Sequence, residues 1–353
     1  MRGLSLFLLM LAGLYAPPSP AQPDLSRRIG TTVADSGVPG YRFESFVLQA
    51  VGGAQRYRLR VAVPQRAAPP AGYATAWLLD GNAALMDVQA ADLQQLAQSA
   101  APPLIVFIAH DNDLRIDGDA RAFDYTPRRP GGEAAQRDPL GTRRNGGADA
   151  FLALILEHAM PRVNALAPLD PARQALWGHS YGGVFVLHAL FTRPQAFALY
   201  GAADPSLWWG EGFLLQEERR AASWSGKPPC LRLWLGETPP AAVRTAAAPS
   251  EAVAPGAVTT GSVTIGAAAT LAATTNAATT GLATTGAAGS PIAVEALRRA
   301  RLGVPPDAAQ QLAQRLKARG MQVEVETLGG LSHGQTLAAS LPRFLAAVAD
   351  STP

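Results

Sequence analysis

The chain of 353 residues lacks several features that would restrict its class at once. It has a single cysteine, Cys230. No internal disulfide can form, so a packed core must hold the fold together. Cys230 leads an apolar run and reads as a small buried hydrophobe rather than a reactive thiol. Lysine is almost missing: Lys227 and Lys317 are the two exceptions among 30 basic residues, the rest being arginine. Guanidinium groups suit forked contacts to anionic oxygens. The net charge is only +3, with no long basic tract and no basic-aromatic alternation, which excludes a nucleic-acid surface. From Ala252 to Val294 there is no charged or aromatic residue, and Ala, Thr and Gly dominate. Such a segment buries too little apolar side chain to offset its ordering entropy, so a flexible insertion is expected at about 241–294.

The first residues carry an export pattern. Arg2 precedes an apolar run from Leu4 to Ala16, then a Pro-rich break and Ser19-Pro20-Ala21. The run is shorter than the ~18 residues of a membrane span. It reads as a secretory signal over 1–21, cleaved after Ala21, with 22–40 as a linker and one domain over 41–353. The expected product is secreted into the periplasm, without a membrane anchor after cleavage.

What remains is an alternation of strands and helices. Tyr57 to Val63 has a period of two and pairs with Phe43 to Ala50 in a hairpin. Short continuous apolar runs follow at Ala74–Leu79, Leu104–Ala109, Ala175–Gly178, Phe197–Ala203 and Leu231–Leu235, with Gln322–Thr327 as the last strand. Helical stretches separate most of them, notably Ala148–Asn164, Gly182–Phe191 and Ala308–Ala318, and a final helix, Thr336–Ala349, follows the last strand. Buried strands alternating with helices predict an α/β fold. Its central sheet is mostly parallel, covered on both faces and led by an antiparallel hairpin.

Gly178-His179-Ser180-Tyr181-Gly182 fits the G-x-S-x-G nucleophile elbow, between an apolar strand and a good helix. The order that goes with this elbow is Ser, acid, His. Of the five histidines, His110, His158 and His179 precede Ser180. His188 lies on the helix that Ser180 opens, about 12 Å along its axis. His333, in the loop before the last helix, is left as the base. For the acid, Glu237 follows the Leu231–Leu235 strand and is preferred. Asp204, after the Phe197–Ala203 strand, is the second choice, and a Ser-His pair with no acid is the third. The backbone N–H groups of Tyr181 and Asn82 are the expected oxyanion donors.

Seven segments occur in order: LLDGNA (Leu78 to Ala83), FDYTP (Phe123 to Pro127), GGADAF (Gly146 to Phe151), GHSYGG (Gly178 to Gly183), DPSLWW (Asp204 to Trp209), LGE (Leu235 to Glu237) and LSHG (Leu331 to Gly334). Together they resemble the "putative esterase" family of α/β-hydrolases. Within it they are most similar to esterases that open the trilactone of catecholate siderophores such as enterobactin, salmochelin and bacillibactin. The resemblance implies an α/β-hydrolase fold, Ser180 as nucleophile and His333 as base. It leaves the acid open, because some members work as a Ser-His dyad, and because Asp204 stands where Ser is usual. The implied substrate is a small-molecule ester, in its sharpest form a ferric catecholate siderophore, whose iron belongs to the substrate. No cofactor or metal is expected. Arg121, Arg128 and Arg129, with Arg137, Arg143 and Arg144, lie in one Gly/Pro-rich stretch suited to such an anion. The rivals are a general carboxylesterase or acyl-thioesterase on uncharged substrates, and a binding protein on a hydrolase scaffold.

Overall fold

Every side chain of Tyr73–Leu78 (β3) and of Leu104–His110 (β4) is buried, as central strands covered on both faces require. The structure, a computed structural model, describes residues 26–138, 143–222, 224, 226–237, 299–300 and 302–350. The signal read at 1–21 and the insertion read at 241–294 lie outside the described residues.

Eight strands form one sheet in the order β1-β2-β4-β3-β5-β6-β7-β8. β1 (Tyr41–Gln49) and β2 (Arg56–Pro64) make the expected antiparallel hairpin, and β2 runs antiparallel to β4. The remaining strands, β5 (Leu169–His179), β6 (Leu199–Ala203), β7 (Cys230–Gly236) and β8 (Gln322–Leu328), are parallel to β3 and β4. The α/β class predicted from the strand pattern is the class observed.

Adjacent strand residues feed opposite faces. Leu176 joins one core with Val184, Phe185, Leu312 and Leu316, while Trp177 joins the other with Leu85, Leu341, Phe344 and Leu345. The first face is covered by Ala148–Leu154 (α5), Met160–Asn164 (α6), Tyr181–Thr192 (α7), Phe213–Arg220 (α8) and Ala308–Ala318 (α9). The second is covered by Gly81–Asp87 (α2), Ala90–Ala97 (α3) and Thr336–Asp350 (α10). A short α1 (Val33–Ser36) precedes the hairpin. All residues of α7 from Tyr181 to Phe191 are buried, as befits a helix that is apolar all round.

Three local expectations change. Residues 26–40, read as a linker, pack on the domain: Val38 and Thr32 are buried, and Ile29 N–H donates to the Asp113 carbonyl at 2.8 Å. Cys230 is half-buried, and its thiol donates to Gln322 Oε1 at 3.3 Å across the β7–β8 pair. A helix not read from the sequence, α4 (Gly118–Asp124), lies in the Arg-rich stretch. Its signal was present in Asp117, whose carboxylate accepts from the N–H groups of Asp119 and Ala120.

α7 carries a buried cation. His188 contacts Glu217 on α8 at 2.9 Å and Asp149 on α5 at 3.2 Å. Burial alone would push the imidazole down, but the two carboxylates outweigh it and raise its pKa from 6.5 to about 9. A pKa raised on folding means that the folded state holds the proton more tightly. The stabilisation is therefore complete below about pH 6.5 and is lost as the pH rises through about 9. Its size is at most about 3 kcal/mol, reduced by solvent screening at the exposed Asp149. Urea unfolding at pH 6.5 and pH 9 should show this loss in the native chain and a flatter profile in His188→Gln. Equal slopes in both would exclude the buried cation.

Candidate active site

The site is assembled at the carboxyl ends of parallel strands, where three chain reversals place residues other than Gly at positive φ. Asp80 (φ 48°) follows β3, Ser180 (φ 59°) follows β5, and Asp204 (φ 42°) follows β6. Such backbone costs on the order of 1–3 kcal/mol per residue, so three instances at one end of one sheet mark a candidate functional site.

The elbow is built as its sequence implies, with one difference. A Cβ on Gly178 would lie 2.4 Å from the Gly182 carbonyl oxygen, so only glycine lets β5 turn so sharply into α7. A Cβ on Gly182 would meet nothing nearer than 3.7 Å; the second glycine under pressure is Gly183, where a Cβ would lie 2.9 Å from Pro205. The Ser180 N–H donates to the Ala203 carbonyl at 2.9 Å, and Ser206 N–H donates to the Ser180 carbonyl at 3.2 Å. These bonds tie the elbow to β6 and the turn beyond it.

Ser180 Oγ lies 3.0 Å from His333 Nε2, and His333 Nδ1 lies 2.9 Å from Asp204 Oδ2. Ser180 Oγ also meets the hydroxyl of the buried Ser206 at 3.1 Å. Both rings of the pair His179/His333 are close, with centroids 4.8 Å apart, and His179 Nε2 lies 2.8 Å from the His333 carbonyl oxygen. Burial, with the neighbouring His333 adding to it, holds the His179 pKa well below its ordinary value. His179 is thus neutral and donates to the His333 backbone. Thr336 Oγ1 donates to the same carbonyl at 2.7 Å. The loop that carries His333 is held from two sides.

Glu237, preferred from the sequence as the acid, is not brought to His333. It is exposed at the end of β7, where its Oε2 accepts from the Gly330 N–H at 3.1 Å. The reason is strand order. β6 lies between β5 and β7, and Ala203 is in register with both His179 and Trp234. The residue after Ala203 therefore stands beside the residue after His179. Asp204 is next to Ser180, and Glu237 is one strand further away.

The arginines also differ from expectation. Arg121 is largely enclosed, its side chain 11% exposed: its Nε and Nη2 donate to the two carboxylate oxygens of Asp80 at 3.0 and 2.8 Å. Arg129 donates to the carbonyls of Ala135 and Arg137 and lies over the Trp209 ring. Both are committed inside the chain rather than displayed to a ligand. Arg128 remains on the surface, paired with the exposed Glu133 at 3.1 Å. Arg143 pairs with Asp119, and Arg144 covers Phe123.

Of the expected oxyanion donors, Tyr181 is the first residue of α7 and Asn82 lies in the first turn of α2, where N–H groups have no partner within the helix. The Asn82 side chain is engaged elsewhere, donating to the carbonyls of Asn112 and Leu114 at 3.0 and 2.8 Å. Among the described residues, no group of three or more His, Cys, Asp and Glu side chains is disposed to hold a metal ion. None of the described helices is long and apolar enough to cross a membrane. The sequence reading missed His179 and Ser206 as parts of the site, although both lie inside the quoted GHSYGG and DPSLWW segments. No spacing rule distinguishes them from their neighbours.

The chain is similar to several proteins named as esterases. The apo-salmochelin esterase of Escherichia coli is 36% identical over 193 residues, 55% of this chain and 59% of that protein. The siderophore triacetylfusarinine C esterase of Aspergillus fumigatus is 40% identical over 147 residues, 40% of this chain and 47% of that protein. The chain thus covers roughly half of these curated relatives. Among solved structures, the siderophore hydrolase EstA from Aspergillus nidulans superposes with a TM-score of 0.62 at 23% identity, covering 95% of this chain and 99% of that one. At that identity the likeness concerns the fold, which is that of an α/β-hydrolase. A family model described as "Putative esterase" matches residues 53–277, more than half of the sequence, and the chain belongs to that family.

Proposed function

We propose that this chain is a serine esterase that works through an acyl-enzyme. The observation that carries the reading is the continuous relay Asp204–His333–Ser180, with contacts of 2.9 and 3.0 Å on strained strand ends. In this mechanism Ser180 Oγ attacks the ester carbonyl while His333 Nε2 accepts its proton. Asp204 accepts from Nδ1–H, which fixes the tautomer that presents a lone pair to Ser180, and it stabilises the imidazolium that forms. The N–H groups of Tyr181 and Asn82 receive the developing oxyanion. His333 then gives the proton to the leaving alkoxide, and a water that it activates releases the acyl group.

The proposed substrate is the trilactone backbone of a catecholate siderophore. Two features support it. The relatives just described bear siderophore esterase names. Among the described residues the site is accessible: the His333 side chain is 44% exposed and that of Asp204 24%, as a bulky substrate requires. One observation favours a second reading, an esterase for uncharged substrates. With Arg121 and Arg129 turned inward, less positive charge faces a ligand than the sequence promised. Export to the periplasm belongs to the same proposal and rests on the charged start and apolar run of the first residues.

A panel of purified-protein assays separates the two. Ferric and iron-free catecholate trilactones are compared with short and long p-nitrophenyl esters. The siderophore reading expects kcat/KM for a trilactone to exceed that for the simple esters by on the order of 100-fold. Equal or inverted values would leave the esterase and remove the siderophore.

A further inference from the structure

Arg121 is the largely enclosed arginine of the Arg-rich stretch, its side chain 11% exposed. Arg121 is surrounded by the residues that flank the proposed chemistry. Its guanidinium grips both carboxylate oxygens of Asp80 and donates through Nη2 to the His179 carbonyl at 3.1 Å. It lies over the rings of Tyr125 and Tyr181 at 5.4 and 5.5 Å. Asp80 precedes the Gly81-Asn82 turn, while His179 and Tyr181 bracket Ser180. One side chain therefore touches both segments from which oxyanion donors are expected.

Tyr125, four residues on from Arg121, completes the hold: its hydroxyl accepts from the Asp80 backbone N–H at 3.0 Å. Asp80 is thus fixed by its carboxylate and by its backbone, at a φ of 48° that its own chain disfavours. The turn lies tight against β4, where a Cβ on Gly81 would come within 2.7 Å of the backbone of Phe107 and Ile108. α4 itself is anchored to the sheet through Asp124, which accepts from the Tyr57 hydroxyl and contacts His110 Nε2, both at 2.9 Å. The sequence of contacts runs from β2 and β4 through α4 to the turn after β3 and the elbow after β5.

We infer that Arg121 and Tyr125 are positioning residues that lock the Asp80 turn against the Ser180 elbow and so set the spacing of the oxyanion donors. The inference rests on the esterase reading above. Oxyanion donors act only at the right distance from the tetrahedral oxygen, so a loosened turn should weaken the transition state and spare the ground state.

The test uses Arg121→Lys, which keeps the charge and loses the fork, and Tyr125→Phe, which keeps the ion pair and loses the acceptor for Asp80 N–H. Each protein is titrated to completion with a fluorophosphonate, so rates are expressed per competent site. Two activated esters, one neutral and one anionic, are assayed, and phenylboronic acid serves as a tetrahedral mimic. Arg121→Lys is expected to lower kcat about 100-fold on both esters with KM held within about threefold, and to weaken boronate binding at least about tenfold. Tyr125→Phe should show the same split at about tenfold in kcat. It carries the test if Arg121→Lys does not fold. A KM rise confined to the anionic ester would overturn the inference in favour of substrate contact. Unchanged kcat per site and unchanged boronate affinity would reduce the cluster to packing. If the native chain shows neither ester turnover nor fluorophosphonate labelling at Ser180, the esterase reading fails and the positioning role with it. If the native chain is active, Ser180→Ala is inactive and the variants match the native chain, the positioning role alone fails.

Discussion

Ser180→Ala should lower ester turnover by about 10⁴-fold or more while leaving the protein folded. The side chain contacts only His333 and Ser206 among the described hydrogen bonds, and the backbone bonds that shape the elbow do not involve its hydroxyl. Alanine also keeps the Cβ that the position already accommodates at positive φ. His333→Ala should lose nearly as much. The double variant should be little worse than either, because nucleophile and base act as a unit. Turnover of one activated ester, with circular dichroism as the folding control, decides it. Substantial activity in Ser180→Ala would end the proposed mechanism.

Asp204→Asn should be the next most damaging change, with a fall in kcat of about 10³- to 10⁴-fold and little change in KM. The amide keeps the shape of the carboxylate. It no longer stabilises the imidazolium, and it can present an N–H to His333 Nδ1, which favours the wrong tautomer. Glu237→Gln should stay within about threefold of the native rate, since that side chain reaches the Gly330 backbone and not the base. Both variants are measured on the same ester. A severe Glu237→Gln with a mild Asp204→Asn would reverse the assignment. If both are mild, the chemistry runs on Ser180 and His333 alone, with the His179 and Thr336 bonds to the His333 backbone holding the ring.

Much of the fold was legible because its strands are short, continuous and apolar. The run Leu104–Ala109 has no polar position, and the structure buries all of it. α4 escaped because seven residues with several charges show no sustained period, and only the Asp117 cap announces it. β5 proved longer than its apolar core, since Asp170 and Arg173 join it at the end where Leu169 pairs with Tyr73. The 26–40 segment looked like a tether because its buried side chains are scattered and its anchoring bonds run to the distant residues 113–115.

The sequence by itself determined the elbow and narrowed the base. A nucleophile turn needs glycine at Gly178 for steric reasons that act within five residues, and the histidine inventory left His333 by order and, against His188, by distance along the helix. What only the tertiary structure decided is which carboxylate meets that histidine and which way the arginines face. Strand order is not written locally. β6 pairs between β5 and β7, and that non-local pairing sets Asp204, not Glu237, beside Ser180. Arg121 looks like any surface guanidinium in sequence. Only the approach of Asp80, 41 positions away, turns it inward, because a largely enclosed cation is tolerated where a partner fixes its charge.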